Sequence, residues 1–115
     1  MIFDMRTPDF GAPRREVYAA ALDHGAWADD IGFDVLGFGE HHHSEDGYNP
    51  SPLVLASAMA GRTRRVHLRT AVLLASCYDP IRLAEDLAVA QIVSDGRMEL
   101  GLGFGYRPSE FAMYG

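Results

Sequence analysis

The sequence predicts an α/β chain of parallel (β/α) repeats, about four of them, equivalent to half of a TIM-barrel-like (β/α)8 fold. Three observations carry this. Four short apolar runs, Ile2–Met5, Val35–Phe38, Val66–Ala75 and Met98–Leu102, begin 33, 31 and 32 residues apart. The stretches between them have helical periodicity, and a strand followed by a helix every thirty-odd residues is the pattern of βαβ units on a parallel sheet. A complete barrel of this kind needs about 250 residues, whereas this chain has 115. Residues 1–115 therefore read as one domain, the N-terminal half of a barrel, cut short.

Each element has its own local reason. Ile2–Met5 is the first strand. A helix is expected over Arg15–Ile31, because Val17, Ala21, His24, Ala28 and Ile31 recur on one face at three-to-four spacing. Gly32 supplies a left-handed stop, and His24, alone on that apolar face, reads as a core histidine. After the second strand, Val35–Phe38, Ser51 as cap and Pro52 in the first turn open a helix that ends near Gly61. Its residues 52–60 are apolar nearly all round. They are either buried by neighbours within the chain or form one side of a homo-oligomer interface. Val66–Ala75 is the third strand. Asp79 and Pro80 then open a third helix, which buries Leu83, Leu87 and Ala90 and stops near Gly96. Met98–Leu102 is the fourth strand, and no covering helix is expected between it and Gly115.

Charge and composition exclude several functions. Sixteen acidic residues against ten basic give a net charge of −6, and the pI is near 5.2. Neither nucleic acid nor an anionic membrane finds a basic surface here. No apolar stretch reaches the roughly 20 residues of a membrane span, and Asp4 stands where a signal peptide carries positive charge. The single cysteine, Cys77, cannot form a disulfide within the chain, so a reducing cytoplasm is the expected setting. All ten basic residues are arginine. That excludes a lysine Schiff base and a P-loop lysine within this sequence.

Ligands of parallel βα folds bind at the carboxyl ends of the strands. After the second strand comes Glu40-His41-His42-His43-Ser44-Glu45-Asp46, the densest group of titratable side chains in the chain. An imidazole there can act as a base near neutral pH, and Glu40 can orient a histidine or accept a ligand N–H. A solvated polar loop is the alternative; a metal site would need three or four converging ligands, and no matching carboxylate–histidine pair stands at another strand end. The third run ends in Ala71-Val72-Leu73-Leu74, small enough at its start for a flat ring to approach the backbone, or simply a fully buried strand. Cys77 beyond it reads as structural. The fourth run ends in Gly101-Leu102-Gly103-Phe104-Gly105-Tyr106-Arg107. It matches the dinucleotide fingerprint only superficially, since Tyr106 takes the third glycine's position. Its glycines permit close approach of a ligand, and Arg107 is the one cation at this end, able to face a phosphate or to stay solvated.

Taken together these segments resemble the bacterial luciferase-like, flavin-dependent monooxygenases. The matching phrases are Gly32-Phe33-Asp34 through Glu40-His41-His42, then Thr70-Ala71-Val72-Leu73-Leu74, then Asp79-Pro80-Ile81-Arg82-Leu83-Ala84-Glu85-Asp86. Ser94-Asp95-Gly96-Arg97 and Gly101 to Phe111 complete them, in order over the whole chain. The resemblance implies a TIM-like barrel holding reduced flavin, FMN in many members and coenzyme F420 in others. The implied reaction takes a small-molecule substrate and O2, or transfers hydride where the cofactor is F420. Carried over by position, Glu40 and His41 lie at flavin and substrate, with His41 as base. Ala71–Val72 matches a non-proline cis peptide under the ring, and Gly103, Phe104, Gly105 and Tyr106 line the ring and ribityl chain. Phe104 stands where luciferase proper has a phosphate-binding arginine, and whether Arg107, three residues later, takes that place is left open by the resemblance. A non-catalytic flavin-binding or assembly protein of the same fold is the alternative reading.

Overall fold

Proline and acidic caps decide where the helices begin, and the sheet follows from the spacing between them. The computed structural model describes residues 1–114, so the chain end at Gly115 lies outside the described residues. In order they form β1 (Ile2–Phe3), α1 (Arg14–Asp30), β2 (Val35–Phe38), α2 (Pro52–Ala60), β3 (His67–Thr70) and β4 (Leu73–Leu74). A 3-10 turn (Ala75–Cys77), α3 (Pro80–Val93), β5 (Met98–Glu99), β6 (Leu102–Gly103) and α4 (Pro108–Tyr114) follow. The main sheet runs β1-β2-β3-β5, parallel throughout, and β4 pairs with β6 in a separate parallel pair.

The third and fourth apolar runs are therefore not single strands. Both break at the same level. The Ala71–Val72 peptide bond is cis, as the resemblance implied, and separates β3 from β4. Gly101 lies just beyond β5, ahead of β6. The buried Thr70 hydroxyl clasps the two breaks together, accepting the Gly101 N–H and donating to the Gly101 carbonyl, each at 2.9 Å. Nor is β3 buried on both faces: Leu68 and Thr70 face inward, while His67 and Arg69 are exposed and pair with Glu99 of β5.

Helix α1 buries Ala21, Gly25, Ala28 and Asp29. His24 is exposed rather than a core histidine, and Ile31 is also exposed. The reason is close packing. The inward stripe is built from small residues, and a Cβ on Gly25 would run into Met59 of α2. Asp29, at the end of α1, collects the backbone N–H groups of Arg64, Arg65 and Val66 at 2.7–2.9 Å and so anchors the entry to β3.

In α2, Pro52 occupies the first turn as expected, but the Ser51 side chain makes no capping bond. Asn49 Oδ1 takes the Ser51 N–H instead. Six of the nine α2 residues are buried within the chain, whereas Val54 stays 71% exposed. Asp79 does cap α3, its carboxylate accepting from the Ile81 and Arg82 N–H groups. The Arg97 guanidinium donates to the carbonyls of Ala60, Thr63, Val66 and Ser94, fastening the end of α2 to the start of β5. Phe3 stacked on Phe38, with Met5, Leu36, Leu55, Met59, Val66, Leu68 and Met98, forms the core beneath the sheet. The expected absence of a fourth helix is corrected by α4. It is a short helix packed against the 3-10 turn at the carboxyl end.

Candidate functional site

β2 ends at Phe38, and past Gly39 the chain crosses the carboxyl edge of the sheet as Glu40-His41-His42. Glu40 is 3% exposed. Its Oε1 accepts from the Tyr78 hydroxyl at 2.8 Å and from His42 Nε2 at 2.6 Å, and its Oε2 accepts the Leu74 N–H at 2.7 Å. A carboxylate only accepts, so His42 carries its proton on Nε2. The free lone pair of its Nδ1 then takes the Tyr114 hydroxyl at 2.9 Å. Burial, and after it the bond to Glu40, pushes the Tyr78 phenol far above its ordinary range.

His41 is half-buried, with its N–H on the Asn49 carbonyl. Asn49 is itself buried and donates to the Gly39 carbonyl. The His41 ring meets Glu110 Oε1 through Nδ1 at 2.9 Å. The same Glu110 oxygen accepts the His42 N–H at 3.0 Å. Burial alone would raise the Glu110 carboxyl. The His42 N–H, the His41 ring and nearby Arg107 outweigh it and hold the group below its ordinary value.

Two hollows meet at this segment. One, of about 200 Å3, is lined by Gly39, Glu40, His41, Tyr48, Ala71, Val72, Leu74, Gly105 and Tyr106. The other, of about 380 Å3, lies toward β1 and is lined by Phe3, Asp4, Arg6, Asp46 and Arg107 among others. His41 and Tyr48 line both. Arg6 is taken up by Asp4, while Arg107 makes no ion pair among the described residues and lies 5.9 Å from the Tyr106 ring centre.

Of the residues picked out in the sequence, Glu40, His41, Ala71, Val72, Gly105 and Tyr106 come together around the first hollow. Gly103 is set against Val72, where an added Cβ would fall 2.6 Å from Val72 Cγ2. Phe104 is 86% exposed, its carbonyl accepting from Ser76, and Arg107 borders the second hollow only. Sequence reasoning missed Glu110, Tyr114, Tyr78 and Asn49. Asn49 stands further along the same β2–α2 connection, Tyr78 lies just before α3, Glu110 and Tyr114 come from α4, and only Glu110 lay inside a matching phrase. Among the described residues no group of three or more His, Cys, Asp or Glu could hold a metal ion, and no helix is long and apolar enough to cross a membrane.

The first hollow suits the ring end of a flavin. Ala71 and the partly exposed Val72 offer a flat apolar floor at the backbone, and the positive φ of Gly105 (81°) turns the chain without a side chain in the way. Polar atoms of His41 and Tyr48 stand at one edge, where a ring with carbonyl and N–H groups needs them. No cation lines this hollow, so the residues described here fit the ring and not the phosphate.

Comparison with known proteins gives the same direction. The family model for the luciferase-like monooxygenases matches residues 1–115. The uncharacterized protein y4wF of Sinorhizobium fredii is 38% identical over 114 residues, covering 99% of this chain and 33% of that protein. The oxygenase component of the flavin-dependent trigonelline monooxygenase of Acinetobacter baylyi is 29% identical, over 85% of this chain and 27% of its own length. The crystal structure of monooxygenase RslO1 from Streptomyces bottropensis superposes with a TM-score of 0.93 at 30% identity, covering 99% of this chain and 35% of that one. This chain thus spans about a quarter to a third of the length of these relatives.

Proposed function

The chain belongs to the luciferase-like monooxygenase family, and from that premise we propose that it forms the flavin-facing part of an enzyme that oxidises a small organic molecule with O2. The observation that carries this reading is the pair of hollows sharing His41, one floored by Ala71 and Val72 and the other open toward β1. When bound, reduced FMN supplies the two electrons that divide O2 between the substrate and water.

The chain's own residues do the rest. Ala71, Val72, Gly105 and Tyr106, which line the first hollow, would hold the flavin ring, and Gly103 and Phe104 would extend that surface along the strand. Glu40 holds the β2 end against β4 and keeps His42 in one tautomer. His41, between the hollows, accepts or returns a proton at the reacting edge. Arg107 is the cation free to meet a negatively charged group, whether a cofactor phosphate or a substrate anion. The flavin in the name of the Acinetobacter relative supports a flavin cofactor, for which we take FMN, and coenzyme F420 is the alternative.

Two features bear on the protein's setting. Val54, Val89 and Val93 line an apolar groove of about 580 Å3 between α2 and α3. This face suits association with a second copy of the chain. The lone half-buried cysteine suits a reducing cytoplasm.

The deciding experiment is O2 consumption by the intact protein with reduced FMN and candidate substrates, beside His41→Ala. Loss of about 10²-fold in turnover with FMN affinity little changed supports the base assignment. Equal turnover in the variant removes it. Hydride transfer from reduced F420 without oxygen uptake selects the alternative cofactor, and flavin binding without any turnover selects a non-catalytic flavin carrier.

A further inference from the structure

The base assignment leaves one buried group without a task. Glu110 is 1% exposed on a seven-residue helix at the end of the described chain, and it reaches back across 69 residues to the His41 ring. Its Oε1 serves both the ring and the His42 N–H, while its Oε2 is buried with no partner. A side chain kept only to satisfy the His42 N–H would do so as a neutral amide. A buried carboxylate with one oxygen idle is a costly way to hold one backbone group. The charge is also felt by nearby Arg107, but the only side chain it hydrogen-bonds is the ring.

We propose that Glu110 is a positioning residue for His41, a carboxylate–imidazole pair that places the ring proton on Nδ1 and leaves the Nε2 lone pair as the basic atom at the wall between the two hollows. An ionised carboxylate cannot donate, so the 2.9 Å contact requires the proton on His41 Nδ1. The ring also packs edge-on between Tyr48 and Tyr106, at centroid distances of 5.3 and 5.7 Å. The N–H of His41 on Asn49 and that of His42 on Glu110 fix the backbone on either side. The pairing follows the general rule that the partner of one imidazole nitrogen sets which nitrogen reacts. Glu110 does not touch the hollows itself, so it acts through His41 alone.

This inference rests on the monooxygenase reading for its kinetic arm and stands apart from it in its spectroscopic arm. In intact protein carrying ring-15N histidine, with His41→Gln assigning the signal, His41 should show its proton on Nδ1. Glu110→Gln keeps the side-chain shape and an oxygen for the His42 N–H. That oxygen still accepts both N–H groups, so the His41 proton should stay on Nδ1. Loss of the charge that strengthens the base should lower kcat by about 10- to 10²-fold and leave KM within about threefold. Glu110→Leu, with no acceptor, should release the proton toward Nε2. Glu110→Asp, with the charge retained, should recover part of kcat. Far-UV circular dichroism and exchange protection of the His42 amide check that Glu110→Gln remains folded. A proton on Nε2 in the wild type overturns the proposal, as does a Glu110→Gln variant with unchanged kcat or a Glu110→Leu variant with unchanged tautomer. Absence of any turnover in the wild type defeats the monooxygenase reading, and the tautomer then still decides the pair.

Discussion

Glu40 is the residue at which fold and site are hardest to separate, and removing it in two ways tells them apart. Glu40→Ala strips the acceptor from three donors. The Leu74 N–H is the serious loss, a buried bond of 2.7 Å, and an orphaned buried donor costs about 1–3 kcal/mol. Tyr78 is only half-buried and turns toward solvent, and His42 can move its proton to Nδ1 and stay bonded to Tyr114. The missing side chain adds a small void worth about 1 kcal/mol. The total is about 3 kcal/mol.

Glu40→Gln should behave differently. With its carbonyl toward Leu74, its NH2 group faces the Tyr78 oxygen, which can accept. It also faces His42 Nε2, which accepts once the proton has moved. Every group is satisfied, and the loss is the charge assistance of the bonds, about 1–2 kcal/mol. Urea unfolding followed through Trp27, the single tryptophan, measures both variants, and exchange of the Leu74 amide reports the local bond. Protection should survive in the Gln variant and vanish in the Ala variant. Two variants equal within about 0.5 kcal/mol, or a Gln variant worse than Ala, would refute the tautomer argument.

Three further outcomes follow from the geometry. Gly101→Ala sets a Cβ onto the Thr70 carbonyl oxygen and should cost about 3 kcal/mol. Gly96→Ala, at φ 77° with open space around it, should cost only about 1 kcal/mol; the same urea titration separates them. Burial would raise the Asp29 carboxyl, but the N–H groups of Arg64, Val66 and Arg65 outweigh it and hold it below its ordinary value. Its contribution is therefore present above about pH 4 and lost as the pH falls through the lowered folded value. Asp29→Asn should be less stable at pH 6 and should lose less stability on going from pH 5 to pH 2, read from urea midpoints. Val89→Glu, on the exposed apolar groove between α2 and α3, should shift sedimentation of the intact protein toward the monomer; an unchanged sedimentation coefficient would discard that face as an interface.

What the sequence disclosed and what it hid divide along a physical line. Strand spacing, the Asp79 cap and the first-turn prolines act over a few residues, so they were legible, and the parallel order β1-β2-β3-β5 followed from them. His24 was misread because the inward face of α1 was sought in bulk. It is made of small residues, and closeness to α2 rather than side-chain volume decides it. The Ser51 hydroxyl makes no capping bond, and Asn49 two residues earlier takes the Ser51 N–H in a local turn just before α2, neither of which composition reveals. α4 was missed because seven residues after a glycine-rich strand end carry too few turns for a periodic signal.

The site follows the same division, with a consequence for how it forms. Glu40, His41 and His42 were recognisable because they are adjacent and chemically dense. Their partners were not, since Leu74, Tyr78, Glu110 and Tyr114 stand 34, 38, 69 and 72 residues away. The His41 ring is therefore oriented by a segment that arrives later in the chain, with no local hydrogen bond to hold it without α4, whereas the His42 ring keeps its local bond to Glu40 and gains Tyr114 from α4. Such long-range closures form only when the elements beneath them are in place. The ring orientation of His41 is thus the last thing the fold secures and the first that loosening α4 would release. A substitution on α4 that touches neither hollow should on this ground disturb the chemistry before it disturbs the core, because Phe3, Phe38 and Leu68 are packed independently of it.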